Sequence, residues 1–294
     1  MYLSRILIYR KVVFGVDNAN SILLNRFFTR NTFKQVIDDG ESSAYAAAIR
    51  RYIVDPANKK NDECISEIYH YLKKEYQNEY YYKNTLLNKL LLGVHSPRTT
   101  IALTEVPIGN SKADFILING KAVVYEIKTA LDNFDRLDGQ IKDYYTAFSR
   151  VMVVTSENHF DEVQRRLQNS PVGICLLTKK GSLSIRREPS EYKEMLSKSI
   201  MFKILRKKEY EHILLERFGS LPNVSQFEYY RSCKALFESL PTDTAYQMFI
   251  QTLKLRTKID IVEYSKVPYE LKFLVYFSNY KKSDYEKLCH FLNT

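Results

Sequence analysis

The sequence has few of the residues that build cross-links or soft-metal sites. Its 294 residues include only four cysteines and five histidines. The cysteines are far apart in the chain, without the close spacing of zinc ligands or of a redox pair. They are Cys64, Cys175, Cys233 and Cys289. The histidines form no HExxH or similar pattern. We therefore expect reduced thiols in the core, and the pattern argues against a zinc or histidine-built metal site.

Long apolar runs are also missing. The longest, such as KAVVY and VMVV, fall far short of the roughly 20 residues that a membrane-spanning helix needs. The N-terminal stretch interrupts its apolar residues with Arg5, Arg10 and Lys11 and offers no small-residue cleavage site, unlike a signal peptide. We therefore expect a cytoplasmic protein with no membrane partner.

Tryptophan is absent, but a hydrophobic content of 45% is enough to bury the core of an ordinary globular protein. The formal net charge of +10 suits a partner that carries phosphates. The positive excess is spread along the whole chain and forms no basic arm. Charge therefore supports a nucleic-acid partner only weakly.

The spacing of apolar residues changes twice along the chain. Up to about residue 92 it is three or four residues and predicts helices, with breaks at Gly40 and DPANKKND. TIALTEVPI, KADFILI and KAVVYEIKT then predict an antiparallel meander, followed by helix, strand, helix and hairpin. Beyond Pro189 the pattern is helical again. We expect an α/β fold with a mixed central sheet flanked by helices. Its predicted regions are an N-terminal helical region (1–75), a core (76–190) and a C-terminal helical region (191–294).

Three charges interrupt the apolar run KADFILINGKAVVYEIK, namely Asp114, Glu126 and Lys128. Burying a charge costs roughly several kcal/mol, so a buried charge is expected to be paired, to bind a metal or to have a function. Glu126 and Lys128 are two residues apart on one predicted strand and therefore share a face. The Glu-x-Lys pattern recurs at Glu191 and Glu270, so only the context of the first copy indicates a site.

The position of Asp114 relative to Glu126 depends on the turn between their strands. A two-residue turn at Asn119 and Gly120 would place the two carboxylates on opposite faces of the sheet. A three-residue loop, Ile118 to Gly120, would instead make them diagonal neighbours on one face, close enough to bind one ion. A functional site requires this second register, or a bulge that likewise places both carboxylates on one face of the sheet.

Two converging carboxylates repel one another, and a hard divalent cation with oxygen ligands, Mg²⁺ or Mn²⁺, relieves the repulsion. Lys128 could position a water molecule or stabilise a transition state. The following segment predicts a helix whose polar stripe repeats every four residues through Asp132, Arg136, Gln140 and Tyr144. We expect Gln140 to support the Lys128 strand and Arg136 to bind Asp132 or a phosphate.

Asp114, the turn, YEIK and the helix with DRLDGQIKDYY resemble the PD-(D/E)xK phosphodiesterase superfamily, the fold of many restriction and repair nucleases. They are most similar to a little-characterised bacterial and phage branch. The resemblance covers roughly residues 79 to 180 and implies a restriction-endonuclease-like core. One departure is that Ala113, not proline, precedes the aspartate.

The resemblance also implies roles for individual residues. It makes Asp114 and Glu126 ligands of Mg²⁺ or Mn²⁺, Lys128 the catalytic lysine and the Ile127 carbonyl a further ligand. Glu79, before the first strand, is the candidate for an additional acidic ligand.

Two further residues lie around this set. Gln140 matches a glutamine that several branches place on the helix after the lysine strand, and we count it with the catalytic residues. Glu105 could bind a second metal, although an ordinary edge-strand charge is the favoured interpretation.

The sequence therefore predicts a metal-dependent nuclease that hydrolyses phosphodiester bonds, with DNA as the expected substrate, in a phage-defence or mobile-element setting. The alternative is a catalytically silent nucleic-acid-binding or adaptor protein with the same fold. Arg136 and the basic segment KILRKK are candidate phosphate contacts. The basic residues of that segment are Lys203, Arg206, Lys207 and Lys208. The helical ends are candidate surfaces for a protein partner or a second copy.

Overall fold

The centre of the protein is a six-stranded mixed sheet whose strands lie side by side in chain order. The computed structural model describes residues 18–256 and 259–294, so the N-terminal stretch compared above with a signal peptide lies outside them. The strands are β1 (Ile101–Ile108), β2 (Ser111–Asn119), β3 (Lys121–Lys128), β4 (Val151–Ser156), β5 (Gly173–Leu177) and β6 (Leu183–Arg187). Strands β1 to β3 form an antiparallel meander, β3 to β5 are parallel, and β6 is antiparallel to β5. The predicted α/β fold is confirmed.

Fourteen α-helices flank the sheet within the described ranges. Before the sheet come α1 (Asn18–Phe27), α2 (Arg30–Asp39), α3 (Ser43–Tyr52), α4 (Asn61–Glu75) and α5 (Glu79–Leu86), which a π-helix (Leu87–Val94) continues. Between strands lie α6 (Leu137–Tyr145) and α7 (Phe160–Arg166). After the sheet come α8 (Lys198–Ile204), α9 (Lys207–Phe218), α10 (Gln226–Ser239), α11 (Thr242–Leu253), α12 (Ile261–Ser265), α13 (Lys272–Tyr276) and α14 (Lys282–Asn293). None of these helices is long and apolar enough to cross a membrane.

The two faces of the sheet pack against different sets of helices. Because successive side chains of a strand point to opposite faces, β2 sends Phe115 and Leu117 to one core and Ile116 and Ile118 to the other. The first core contains α1 to α5 and α12 to α14, and the second contains α6 to α11. The helices after the sheet therefore divide between its two faces.

The helix α6 begins later than its sequence pattern predicts. It starts at Leu137, with Arg136 at the N-cap position and Asp132 in the preceding loop. There the Asp132 carboxylate accepts hydrogen bonds from the amide and the hydroxyl of Thr129, at 2.8 and 2.7 Å. Such local bonding gives the backbone an alternative to the helix. The predicted helical stripe therefore retains only Gln140 and Tyr144.

Three cysteines, Cys64, Cys175 and Cys233, are buried free thiols, as expected. Cys289 is also free but lies exposed on α14, so the expectation of a core position was wrong for that residue.

The loops on either side of β2 each depend on a glycine with positive φ. Gly109 has φ +59° and Gly120 has φ +65°. A Cβ atom at Gly120 would meet nothing within 4 Å, whereas one at Gly109 would lie 2.6 Å from Oδ1 of Asp143. Asp143 is held there by hydrogen bonds from the Asn110 amide, at 3.0 Å, and the Ser111 hydroxyl, at 2.6 Å.

We predict that Gly120→Ala lowers the free energy of unfolding by about 1–2 kcal/mol, because a left-handed backbone disfavours a Cβ atom. Gly109→Ala should cost about 1 kcal/mol more, because Asp143 must also give up hydrogen bonds. Urea unfolding followed by circular dichroism measures both values. Equal losses in the two variants would show that Asp143 does not fix the Gly109 loop.

Candidate functional site

A single glycine forms the turn between β2 and β3. Asn119 pairs directly with Lys121, and Gly120 alone lies between them. Both expected turns, the two-residue and the three-residue one, were therefore wrong in length. Gly120 permits this tight reversal because it adopts φ +65°, which is costly for residues with a Cβ atom.

The observed register has the parity that a site requires. Ile116 pairs with Val124. Asp114 lies two residues before Ile116 and Glu126 two residues after Val124, so all four side chains lie on the same face of the sheet. Continued by one pair, this register would set Asp114 opposite Glu126 rather than diagonal to it. The backbone pairing of β2 with β3 ends just before this point, and Oδ2 of Asp114 accepts a hydrogen bond of 2.9 Å from the Ile127 amide. Asp114 is therefore oriented by the strand that carries Glu126.

Glu126 lies in a buried hydrogen-bonded network with α6. Its Oε2 accepts a bond of 2.5 Å from the Tyr144 hydroxyl, and its Oε1 lies 3.0 Å from Nζ of Lys128. Lys128 also donates to Oε1 of Gln140 at 2.9 Å. Gln140 and Tyr144 are one turn apart on α6, so both reach the ion pair of Glu126 and Lys128. The structure brings together three of the predicted site residues, Glu126, Lys128 and Gln140, and adds Tyr144.

A second set of carboxylates lies beside Asp114. Glu79 is the first residue of α5, and Glu105 lies on β1 between the pairs that join β1 to β2. One carboxylate oxygen from each of Glu79, Glu105 and Asp114 lies within 4.8 Å of the other two. Glu105 has φ +57°, a strained conformation for a residue with a side chain, so its position is imposed by its surroundings.

Lys83 is the site residue that the sequence did not reveal. It is buried, its Nζ lies 2.6 Å from Oε1 of Glu79, and it also bonds to the Glu105 carboxylate. Glu105 forms a further ion pair with the exposed Lys112. The spacing of Glu79 and Lys83 is that of an ordinary surface pair on a helix, which hides the burial of the lysine. The charge of Glu105 is therefore neutralised by lysines rather than left free at the sheet edge.

Burial governs the protonation of the two central carboxyl groups. Burial raises the pKa of Asp114 well above its ordinary value, Glu126 raises it further, and the Ile127 amide opposes the shift. Burial also raises the pKa of Glu126, against the opposing effects of Lys128 and Tyr144. Burial and the neighbouring Glu126 raise the pKa of Tyr144, which remains a neutral donor. Asp114 and Glu126 thus lack full compensation, and a divalent cation would supply it.

Glu79, Glu105 and Asp114 border an open cleft of about 750 Å³ between β1, β2 and α6, whereas Glu126 and Lys128 lie buried behind its lining residues. Lys112, Arg136, Gln140 and Lys142 also line it. A second cleft, of about 640 Å³, shares Glu79 and Glu105 with the first and also has Lys83, Arg30 and Asp132 among its lining residues. Arg136 lines the first cleft, where a phosphate contact stays a prediction, and Asp132, its other expected partner, is held by Thr129 instead.

The predicted basic cluster lies elsewhere in the fold. Lys203 is on α8, Arg206 is the N-cap residue of α9, and Lys207 and Lys208 are in its first turn. Lys207 lies over the ring of Tyr229, with its Nζ 5.2 Å from the ring centroid. None of the four basic residues lines the clefts described here. The structure does not bring this cluster together with Asp114.

We predict that Asp114→Asn stabilises the metal-free protein, and more at pH 8 than at pH 4. The pKa of Asp114 is about 8 in the folded state against 3.8 ordinarily, so between these values the folded state holds more protons. Wild-type stability therefore falls as pH rises through this window, and asparagine does not titrate. We expect the difference in the free energy of unfolding between the two proteins to grow by several kcal/mol from pH 4 to pH 8, measured by urea unfolding. A difference that does not change with pH would contradict this account.

Comparison with known proteins places the chain in a phage family. The sequence profile described as "Bacteriophage P4 protein cII" matches residues 72–266, which include the whole sheet, α5 and α6. "Protein cII" of Enterobacteria phage P4 is 34% identical over 82 residues, or 28% of this chain and 31% of that protein. The aligned part of the chain thus spans less than a third of that relative.

Among solved structures, "Crystal Structure of Protein of Unknown Function AF1548" aligns with 60% of this chain and 98% of its own, at 16% identity. Its TM-score of 0.25 is too low to establish a shared fold. The family assignment therefore rests on the sequence profile, which spans more than half of the described chain. The chain belongs to the bacteriophage P4 protein cII family.

Proposed function

We propose that this protein is a metal-dependent nuclease with a restriction-endonuclease-like core of the PD-(D/E)xK type. The observation that carries the proposal is the placement of Asp114 and Glu126 on one face of the sheet, with Lys128 bonded to Glu126. This placement is costly, because neither carboxylate is fully compensated by its surroundings. Asp114, one of the two, lines the open cleft, and a group with such perturbed protonation in a cleft is typical of catalytic sites.

The residues present suit a hard divalent cation, because carboxylate oxygens are the ligands that Mg²⁺ and Mn²⁺ prefer. Asp114 and Glu126 would hold the ion, with Glu79 next to them, while the Ile127 carbonyl stays a predicted ligand. The ion would supply Lewis acidity, which polarises a phosphoryl oxygen and offsets developing negative charge.

The other side chains of the site have distinct tasks in this proposal. Lys128 would place its ammonium beside the reacting phosphate, held by Glu126 and Gln140. Tyr144 would fix the orientation of Glu126 through its hydroxyl. Arg136 and Lys142, which line the cleft, would contact flanking phosphates of the substrate.

We propose DNA as the substrate, because the cleft is open and basic residues on its walls accompany a net charge of +10. Membership of a phage protein family supports the phage or mobile-element setting, and we propose a cytoplasmic location. A protein partner or a second copy at the helical ends stays a prediction, as does the silent, DNA-binding alternative.

We predict that the wild type cleaves DNA with Mg²⁺ or Mn²⁺, that EDTA abolishes cleavage, and that Glu126→Gln and Lys128→Met each lower the rate by at least about 100-fold. Supercoiled, linear and single-stranded DNA and RNA are the substrates to compare on gels. The control is Glu191→Gln, because the chain repeats Glu-x-Lys there on a half-exposed segment. Its activity should stay within about twofold of wild type.

Equal cleavage by the wild type and both site variants would show that these residues do not carry the activity. Tight DNA binding without metal-dependent cleavage of any of the substrates would instead favour the silent alternative.

A further inference from the structure

Lys83 is a buried lysine held between carboxylates from two different elements. Its side chain is 8% exposed, against 57% for Glu79 on α5 and 35% for Glu105 on β1. Nζ lies 2.6 Å from Oε1 of Glu79 and bonds directly to the Glu105 carboxylate. The ammonium thus joins helix α5 to the edge of the sheet at the cleft.

The three carboxylate oxygens around this ammonium have the spacing of a cation site. Glu79, Glu105 and Asp114 each contribute an oxygen within 4.8 Å of the others, and Lys83 contacts two of the three residues. A metal ion between Glu79 and Glu105 would have to displace the ammonium and leave a buried charge without its partners. Loss of one partner of a buried ion pair is strongly unfavourable.

The local charge count supports one divalent ion rather than two. The cluster combines four carboxylates, Glu79, Glu105, Asp114 and Glu126, with two buried ammonium groups, Lys83 and Lys128. If all are ionised, these groups sum to −4 + 2 = −2, and the exposed Lys112, which pairs with Glu105, brings the sum to −1. One divalent cation changes the sum to +1, whereas a second would leave +3 in a partly buried place, where charge is poorly screened.

We propose that the Lys83 ammonium takes the position of a second metal, so that the site binds a single divalent cation between Asp114 and Glu126. Lys83 is a positioning residue in this scheme. It neutralises Glu79 and Glu105 and confines the metal ion to the part of the site beside Glu126 and Lys128. The inference rests on the proposed nuclease function, because it requires a divalent ion at Asp114.

The test is the number of Mn²⁺ ions bound by the full-length protein, measured by titration calorimetry and by electron paramagnetic resonance. We expect one ion in the wild type and two in Lys83→Met, with a spin-coupled signal from the neighbouring pair. Lys112→Met is the matched control, because Lys112 also pairs with Glu105 but is 61% exposed. It should still bind one ion.

The double variant Lys83→Met/Glu105→Gln should return to one ion, because it lacks a ligand of the second position. The double variant also removes the repulsion between the Glu79 and Glu105 carboxylates, which could unfold Lys83→Met. Two ions in the wild type would overturn the role of Lys83 but leave the nuclease proposal intact. One ion in a folded Lys83→Met would do the same. No ion in any of the proteins would overturn both proposals.

Discussion

The repulsion between two carboxylates on adjacent strands is the constraint around which this site is built. Asp114 on β2 and Glu126 on β3 lie on the same face of the sheet, and the surrounding protein compensates only part of their charge. The compensating groups come from two different elements. Strand β3 supplies the Ile127 amide and Lys128, and α6 supplies Tyr144. The turn at Gly120, the start of α6 and the position of α5 all matter because they set these distances.

Such an arrangement lowers stability, since a well-packed apolar pair would fill the same space without charge. Proteins retain costly buried charges chiefly where they are functional. The Lys83 ion pairs fit this view, because Lys83 bonds to the neighbouring carboxylates Glu79 and Glu105 and acts on Asp114 only through its more distant charge. The cleft therefore keeps one strong attraction for a divalent ion beside basic groups that suit a phosphate backbone.

Much of this could be predicted from the sequence. Alternation along β1 to β3 predicts the meander, and charges within a β-branched run indicate the site. For a site to form, Asp114 and Glu126 had to lie on one face of the sheet, and they do, but the predicted turn lengths were wrong. Pairing of Asn119 with Lys121 depends on how far the strands extend, which local patterns do not encode.

The errors have local physical causes. Asp132 bonds to Thr129 and delays the start of α6, so a pattern that looks helical is partly loop. Lys83 resembled a surface residue because the i, i+4 spacing to Glu79 is common on exposed helices, and only the packing of α5 against the sheet buries it. The basic residues of α8 and α9 were expected near the site because of their charge and their position just after the core in the chain, and neither determines where a helix lies.

The most direct test of the account is anomalous diffraction from crystals of the wild-type protein grown with Mn²⁺. The account predicts one anomalous peak within coordination distance of both Asp114 and Glu126, with Lys83 still bonded to Glu79 and Glu105. A peak between Glu79 and Glu105 with Lys83 displaced, or no peak at Asp114, would contradict it.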